Sequence, residues 1–220
     1  LIGLTFRLLR GRFFCSCREA ASILQSQTRV LIRTNFCYNG RIRSGNDCRK
    51  GVGGLRVLGI DPGIAIAGFG FIDKDGHKLK PVQYGCIQTA AHTPQEERLV
   101  QIYDSAVALM DKYKPDTVAV EKLFFNRNVT TAFAVGQARG VIILAAAQRG
   151  LPVAEYTPLQ VKQAVVGYGK AEKRQVQEMV KMFLKLSAIP KPDDVADALA
   201  VAICHAHSSG LSQKINEVLR

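Results

Sequence analysis

No uninterrupted apolar run in the 220 residues exceeds seven, the length of Val141 to Ala147. A membrane-spanning helix needs roughly 20, so the chain reads as a soluble protein. It has no paired CxxC spacing, so a zinc site is not indicated. Beyond residue 54 only Cys86 and Cys204 occur, a usage that fits a reducing compartment. With 19 Gly, 8 Pro and 47% apolar residues, collagen-like, coiled-coil and wholly disordered chains are excluded. Gly167-Tyr168-Gly169-Lys170 suggests a phosphate loop, but Ala164 and Ala171 stand where that loop needs Gly and Ser or Thr.

Acid is scarce where base is dense. The formal net charge is +12, and residues 1–54 hold nine Arg and Lys50 against only Glu19 and Asp47. That segment is therefore +8, leaving +4 for residues 55–220. It has no periodic pattern and ends in glycines 51, 53 and 54, so it reads as a basic N-terminal extension to a single domain at 55–220. Three readings remain open for it: an Arg-rich transit-like leader, a basic arm for nucleic acid, or a disordered or artefactual extension. Arg7, Arg10 and Arg12 interrupt every candidate core of a secretory signal. The chain opens on Leu1 and its first Met is Met110, so the expected amino terminus is processed, incomplete or begun from a non-standard start.

From Leu55 the pattern becomes regular. Residues 56–61 (RVLGID) and 67–72 read as strands separated by the turn pair Pro62-Gly63. A second turn is expected over Asp73-Lys74-Asp75-Gly76, with a returning strand over 81–89. The order then alternates: a helix over 95–113, the strand 117–121 (TVAVE), a small-residue helix over 130–149 and a strand over 152–156. Helical stretches over 158–166, 172–186 and 194–207 complete it. The sum is α/β, a mixed five-stranded sheet with helices on both faces.

Most acids have ordinary explanations, Asp73 and Asp75 as turn formers among them. Asp61 and Glu121 differ, because each ends an apolar strand, and ligands of open α/β sheets bind at the carboxyl ends of strands. Asp194 and Asp197 lie three apart on one helical face. Asp193 and Asp194 also have a capping role available, but Asp197 sits a turn further in, among Val195, Ala196, Ala198 and Leu199. An unpaired carboxylate in such a stretch is costly, and a cation is one remedy. Four carboxylates meeting without His or Cys make a hard-ligand site suited to Mg²⁺ or Mn²⁺. Two such ions serve phosphodiester hydrolysis, which points to a nuclease. His205 and His207 are expected to cap a helix end.

The segments VLGIDPGIAIAGFG (57–70), VAVEKLFFNRN (118–128), QVKQAVVGYGKAEKRQV (160–176) and DDVADALAVAICH (193–205) closely resemble the RuvC family of bacterial Holliday junction resolvases. The likeness covers residues 55–207, in order and with similar spacing. It implies an RNase H-like fold, a homodimer, and recombination and repair chemistry in which four-way DNA junctions receive paired symmetric nicks. It carries a metal-binding catalytic tetrad onto Asp61, Glu121, Asp194 and Asp197, with two Mg²⁺ per site and Mn²⁺ as a substitute. Asp194 stands where some members have a His, which leaves less room for a histidine general base. Lys162 and Lys173 match lysines used at the active site and on the DNA backbone. Of Phe124 and Phe125, one suits the core and the other a wedge between bases, and the match favours Phe124 as the wedge. Arg127, Lys170 and Arg174 are phosphate-contact candidates, although solvation alone explains Lys170 and Arg174 equally well. The small-residue helix corresponds to the family's dimer interface. A branch-migration motor of the RuvA-RuvB type is the implied partner, and the bacterial cytoplasm the implied location, with an organelle as the alternative if residues 1–54 are a transit peptide.

Three other readings compete. An actin-like or sugar-kinase-like ATPase also starts with Asp-x-Gly before a hairpin, but 166 residues cannot supply its second half. An RNA-processing nuclease of the same fold lacks the Phe-Phe pair. A non-catalytic junction-binding protein has no need of all four carboxylates.

Overall fold

The computed structural model describes residues 36–38, 54–122 and 129–218, within the compact unit Thr34–Arg220. Among these, six strands form one sheet: β1 (Phe36–Tyr38), β2 (Leu55–Asp61), β3 (Ile66–Asp75), β4 (Lys78–Gln88), β5 (Thr117–Glu121) and β6 (Val153–Tyr156). The order across the sheet is β1-β4-β3-β2-β5-β6. The pairs β2–β3 and β3–β4 are antiparallel, while β5 joins β2 in parallel and β6 joins β5 in parallel. All five strands expected from the sequence are present. The sixth, β1, comes from the basic N-terminal segment and pairs antiparallel with β4, Phe36 opposite Ile87 and Tyr38 opposite Gly85. An edge strand carries a row of open backbone donors and acceptors, and even three extended residues satisfy some of them.

The first hairpin differs from its expected form. β3 continues through Asp75, and the chain reverses at Gly76-His77, with Gly76 at φ 57°. Asp73 is a strand residue here. It faces Arg56 across the β2–β3 pair and accepts hydrogen bonds from Nε at 2.6 Å and Nη2 at 2.8 Å. This bidentate pairing keeps the ladder going past the point where sequence spacing places the turn.

Five helices are described: α1 (Gln95–Tyr113), α2 (Val129–Gln148), α3 (Pro158–Val166), α4 (Lys173–Phe183) and α5 (Asp193–Val218). They cover both faces of the sheet. Leu58, Ile60, Phe69, Phe71, Val118 and Val120 pack under α1 and α2, where Ile102, Met110 and Ile142 are fully buried. Val57, Ile72 and Ala119 face the other way, against α3, α4 and above all α5. Alternation along each strand divides the apolar residues between the two cores.

Helix α5 lies unusually close to the sheet. A Cβ added at Gly59 would stand 2.2 Å from the Ala198 carbonyl oxygen, and one at Gly68 would stand 2.0 Å from that of Asp194. At Gly70 it would meet the Leu199 side chain at 2.4 Å. The helix contributes buried Ala198 and Ala202 to the same seam, both against Gly59. Small residues on both partners let two backbones touch, and the amino-terminal turns of α5 are thereby seated at the ends of the central strands.

Candidate active site

Two of the four singled-out carboxylates come from neighbouring strands. β2 and β5 pair in parallel with Ile60 opposite Val120, so Asp61 and Glu121 follow at the next register position. Gly59 and Ala119 face α5, and a period of two sends Asp61 and Glu121 to that side as well. The other two come from α5. Its first turn carries Asp194, whose carbonyl rests over Gly68, and Asp197 follows one turn on. The sheet and the helix thus bring all four acids to one end of the molecule.

Their electrostatics record the convergence. The Asp61 carboxyl is pushed up to about 8, first by burial and then by the charges of Glu121, Asp197 and Asp194, with Lys173 opposing. Glu121 is pushed up to about 7, by burial and then by Asp197, against Lys173 and Lys162. Asp197 is raised by burial despite its bond to Lys173. Carboxylates that desolvate and repel one another in this way are held at a cost that a cation relieves.

Both expected lysines are at the site. Lys173 opens α4, and its Nζ lies 3.0 Å from Asp197 Oδ2 and 3.5 Å from Asp193 Oδ2. Burial works against its charge, but the bonds to Asp197 and Asp193 raise its pKa, so it stays an ammonium. Lys162, on α3, joins Glu121, Lys173 and Asp197 in lining a cleft of about 230 Å³ floored by Val161 and Val176. Local sequence seats both helices. Thr157 caps α3, its Oγ1 accepting from the Gln160 N–H at 3.3 Å, with Pro158 in the first turn. At the start of α4 the Glu172 N–H donates to Gln175 Oε1 at 2.8 Å.

Among the described residues, no group of three or more His, Cys, Asp or Glu side chains is arranged as it stands to hold a metal ion. The donor set nevertheless fits a hard divalent cation. It consists of carboxylates alone, partly desolvated and mutually repelling, with one of them occupied by the Lys173 ammonium. The charges of Glu121, Asp197 and Asp194 all act on Asp61, so a cation held among them would relieve the repulsion.

Other expected positions fall elsewhere. Lys170 and Arg174 are exposed on the α3–α4 connection and on α4, outside the cleft lining. Phe124, Phe125, Arg127 and Asn128 lie outside the described residues. His205 and His207 do not cap a helix end, because α5 runs on to Val218. The His205 ring shares a 2.8 Å hydrogen bond with the Tyr156 hydroxyl, and His207 packs edge-on against Phe183. Ser208 and Ser209 donate to the Cys204 and Ala206 carbonyls within the helix. Asp193, read from the sequence as a capping residue, bridges Lys191 at 2.9 Å and Lys173. Sequence reasoning missed Gly59, Gly68 and Gly70 as positioning residues. Their signal was present: glycine recurring at alternate positions inside apolar strands marks a close approach of another backbone.

An RNase H-like sheet with acids at the ends of two neighbouring strands and on the covering helix is the frame of a nuclease. The profile described as Crossover junction endodeoxyribonuclease RuvC matches residues 57–205. A relative of that name from Brevibacillus brevis is 66% identical over 152 residues, 69% of this chain and 92% of its own length. One from Desulfitobacterium hafniense is 61% identical over 165 residues, 75% of this chain and all of its own. Among solved structures, Thermus thermophilus RuvC in complex with a Holliday junction substrate superposes with a TM-score of 0.69 at 38% identity, covering 72% of this chain and 96% of that one. The chain belongs to the RuvC family of crossover junction endodeoxyribonucleases.

Proposed function

We propose that this protein resolves four-way DNA junctions by paired, symmetric nicks in recombination and repair. The observation that carries the reading is the meeting of Asp61, Glu121, Asp194 and Asp197 at one end of the sheet, with Lys162 and Lys173 beside them. The four carboxylates would hold two Mg²⁺, or Mn²⁺ in their place. Such ions supply Lewis acidity at the scissile phosphate and acidify the attacking water. Lys173 neutralises Asp197 until DNA and cation arrive and is then free to stabilise charge on the phosphate, a task that Lys162 shares from the same cleft. Phe124 serves as the wedge at the junction centre, and Arg127, Lys170 and Arg174 hold the flanking phosphates.

Paired cutting calls for two sites related by a two-fold axis, hence a homodimer. Helix α2 supports this, since Phe133 (71% exposed), Gly140 and Leu144 (50% exposed) follow one another along its outer face. A branch-migration motor is the further partner, and the bacterial cytoplasm the location. No helix among the described residues is long and apolar enough to cross a membrane. The nuclease domain spans residues 55–220 and residues 1–54 are an extension to it, a division supported by the Desulfitobacterium relative, which aligns over its whole length with 165 residues of this chain.

The test is cleavage of a synthetic four-way junction by purified protein with Mg²⁺. Paired nicks with ligatable ends are expected. Comparable cutting of linear duplex, or preference for structured RNA, overturns the reading.

A further inference from the structure

The connection between α3 and α4 carries a side chain that the tetrad does not use. Gly167 ends α3 in a left-handed conformation, φ 96°, its N–H bonded to the Gln163 carbonyl at 3.0 Å, and Ala171 is buried in the core four residues later. The stretch between them is tethered at both ends. On it, Tyr168 is 47% exposed, and its hydroxyl donates to Gln175 Oε1 at 2.9 Å. That oxygen also accepts from the Glu172 N–H at 2.8 Å, so the group that anchors the tyrosine is itself fixed to the start of α4.

An isolated surface tyrosine needs no explanation. This one differs in three respects. Its ring is held in place at both its backbone and its hydroxyl, so little conformational freedom remains to be lost on binding. Two exposed cations follow it in the chain, Lys170 on the same connection and Arg174 next to the Gln175 that anchors the hydroxyl, a charge pattern complementary to a phosphate backbone. Finally, the connection joins the two helices that bring Lys162 and Lys173 to the cleft. An anchored, exposed aromatic ring with cations close by in the chain is what proteins use to hold single-stranded nucleic acid: phosphates on the cations, a base on the ring.

We propose that Tyr168 is a stacking platform for an unpaired base of the DNA strand held in the cleft, with Lys170 and Arg174 on the adjoining phosphates. Bases inside a duplex present only their edges, whereas an opened junction frees a few of them, so the platform adds to the preference for junctions over duplex. This rests on the junction-resolving reading above and extends it to a recognition residue outside the tetrad.

The experiment measures binding of a four-way junction carrying 2-aminopurine near its exchange point, in an Asp61→Asn background that does not cut. Against that background, Tyr168→Leu should weaken junction binding roughly tenfold, in the range of one stacked base. It should also brighten the bound 2-aminopurine and leave the salt dependence of binding unchanged. Tyr168→Phe should retain the quenching and most of the affinity, while Lys170→Ala should lower the salt slope by about one. If Tyr168→Leu matches its parent in affinity and fluorescence, or loses affinity with fluorescence unchanged, the platform is overturned. If the parent protein shows no preference for junction over duplex, the junction-resolving reading fails first and this proposal with it.

Discussion

Asp61 occupies a position where burial and three neighbouring carboxylates oppose its ionisation. With its folded pKa near 8 and that of Glu121 near 7, both above the values of 3.8 and 4.5 for free groups, the folded protein binds more protons than the unfolded chain across that interval. The stability linked to these groups is present in full below about pH 4 and is lost as pH rises towards 8. In the absence of divalent metal, the melting temperature should therefore fall between about pH 5 and pH 8 through these groups. Added Mg²⁺ should restore several degrees at pH 9 and less at pH 6, since ligation displaces protons. Asp61→Asn should flatten the metal-free slope, remove most of the Mg²⁺ shift and abolish cleavage while junction binding persists. Thermal unfolding at constant ionic strength reads the first effects and gel shift the last. Identical Mg²⁺ shifts in the parent and the variant would refute this account of the site.

At the scale of elements, the decisive contact is α5 on the glycine track of β2 and β3. Gly68 meets the Asp194 backbone, so the space that a methyl group would take is the space that sets the height of the helix. Gly68→Ala should lift the first turns of α5, costing about 1–3 kcal/mol of stability. Displacement of Asp194 and Asp197 by even about 1 Å should lower cleavage on the order of 10²-fold. Circular dichroism melts and single-turnover nicking measure the two, and unchanged nicking by a folded variant would mean that the helix height is not what places the pair. The alternating strands, the helix order and all four acids were legible from period and spacing. The hairpin and the helix end were misjudged, because Arg56 prolongs a strand past the Asp and Gly of the expected turn, and His205 and His207 pack on Tyr156 and Phe183 within a helix that runs on to Val218. Such outcomes depend on a partner 17 residues away or on the packing of the whole helix.

For the molecule as a whole, charge misleads and placement informs. Eight of the twelve net positive charges lie in residues 1–54, and of these the described residues include only β1, at the sheet edge formed by β4. That edge is separated from β2 by β4 and β3, whereas the cleft lies on the other side of β2, where β5 and the covering helices meet. Truncation to begin at Leu55 should leave junction cleavage within about threefold of the full chain, a difference of less than roughly 1 kcal/mol in the barrier. Loss of cutting by a truncated protein that still folds would show that the basic segment contacts the DNA.

The sequence by itself determined which residue types end which strands and that hard carboxylates, not thiols or imidazoles, are the chemistry on offer, because these follow from local period and side-chain identity. Only the tertiary structure decided that Asp61 and Glu121 adjoin, that α5 descends far enough to deliver Asp194 and Asp197, that Lys173 pairs with Asp197, and that His205 turns inward to Tyr156. Those depend on how closely two backbones can approach, and in this fold that distance is set by three glycines beneath a helix of alanines.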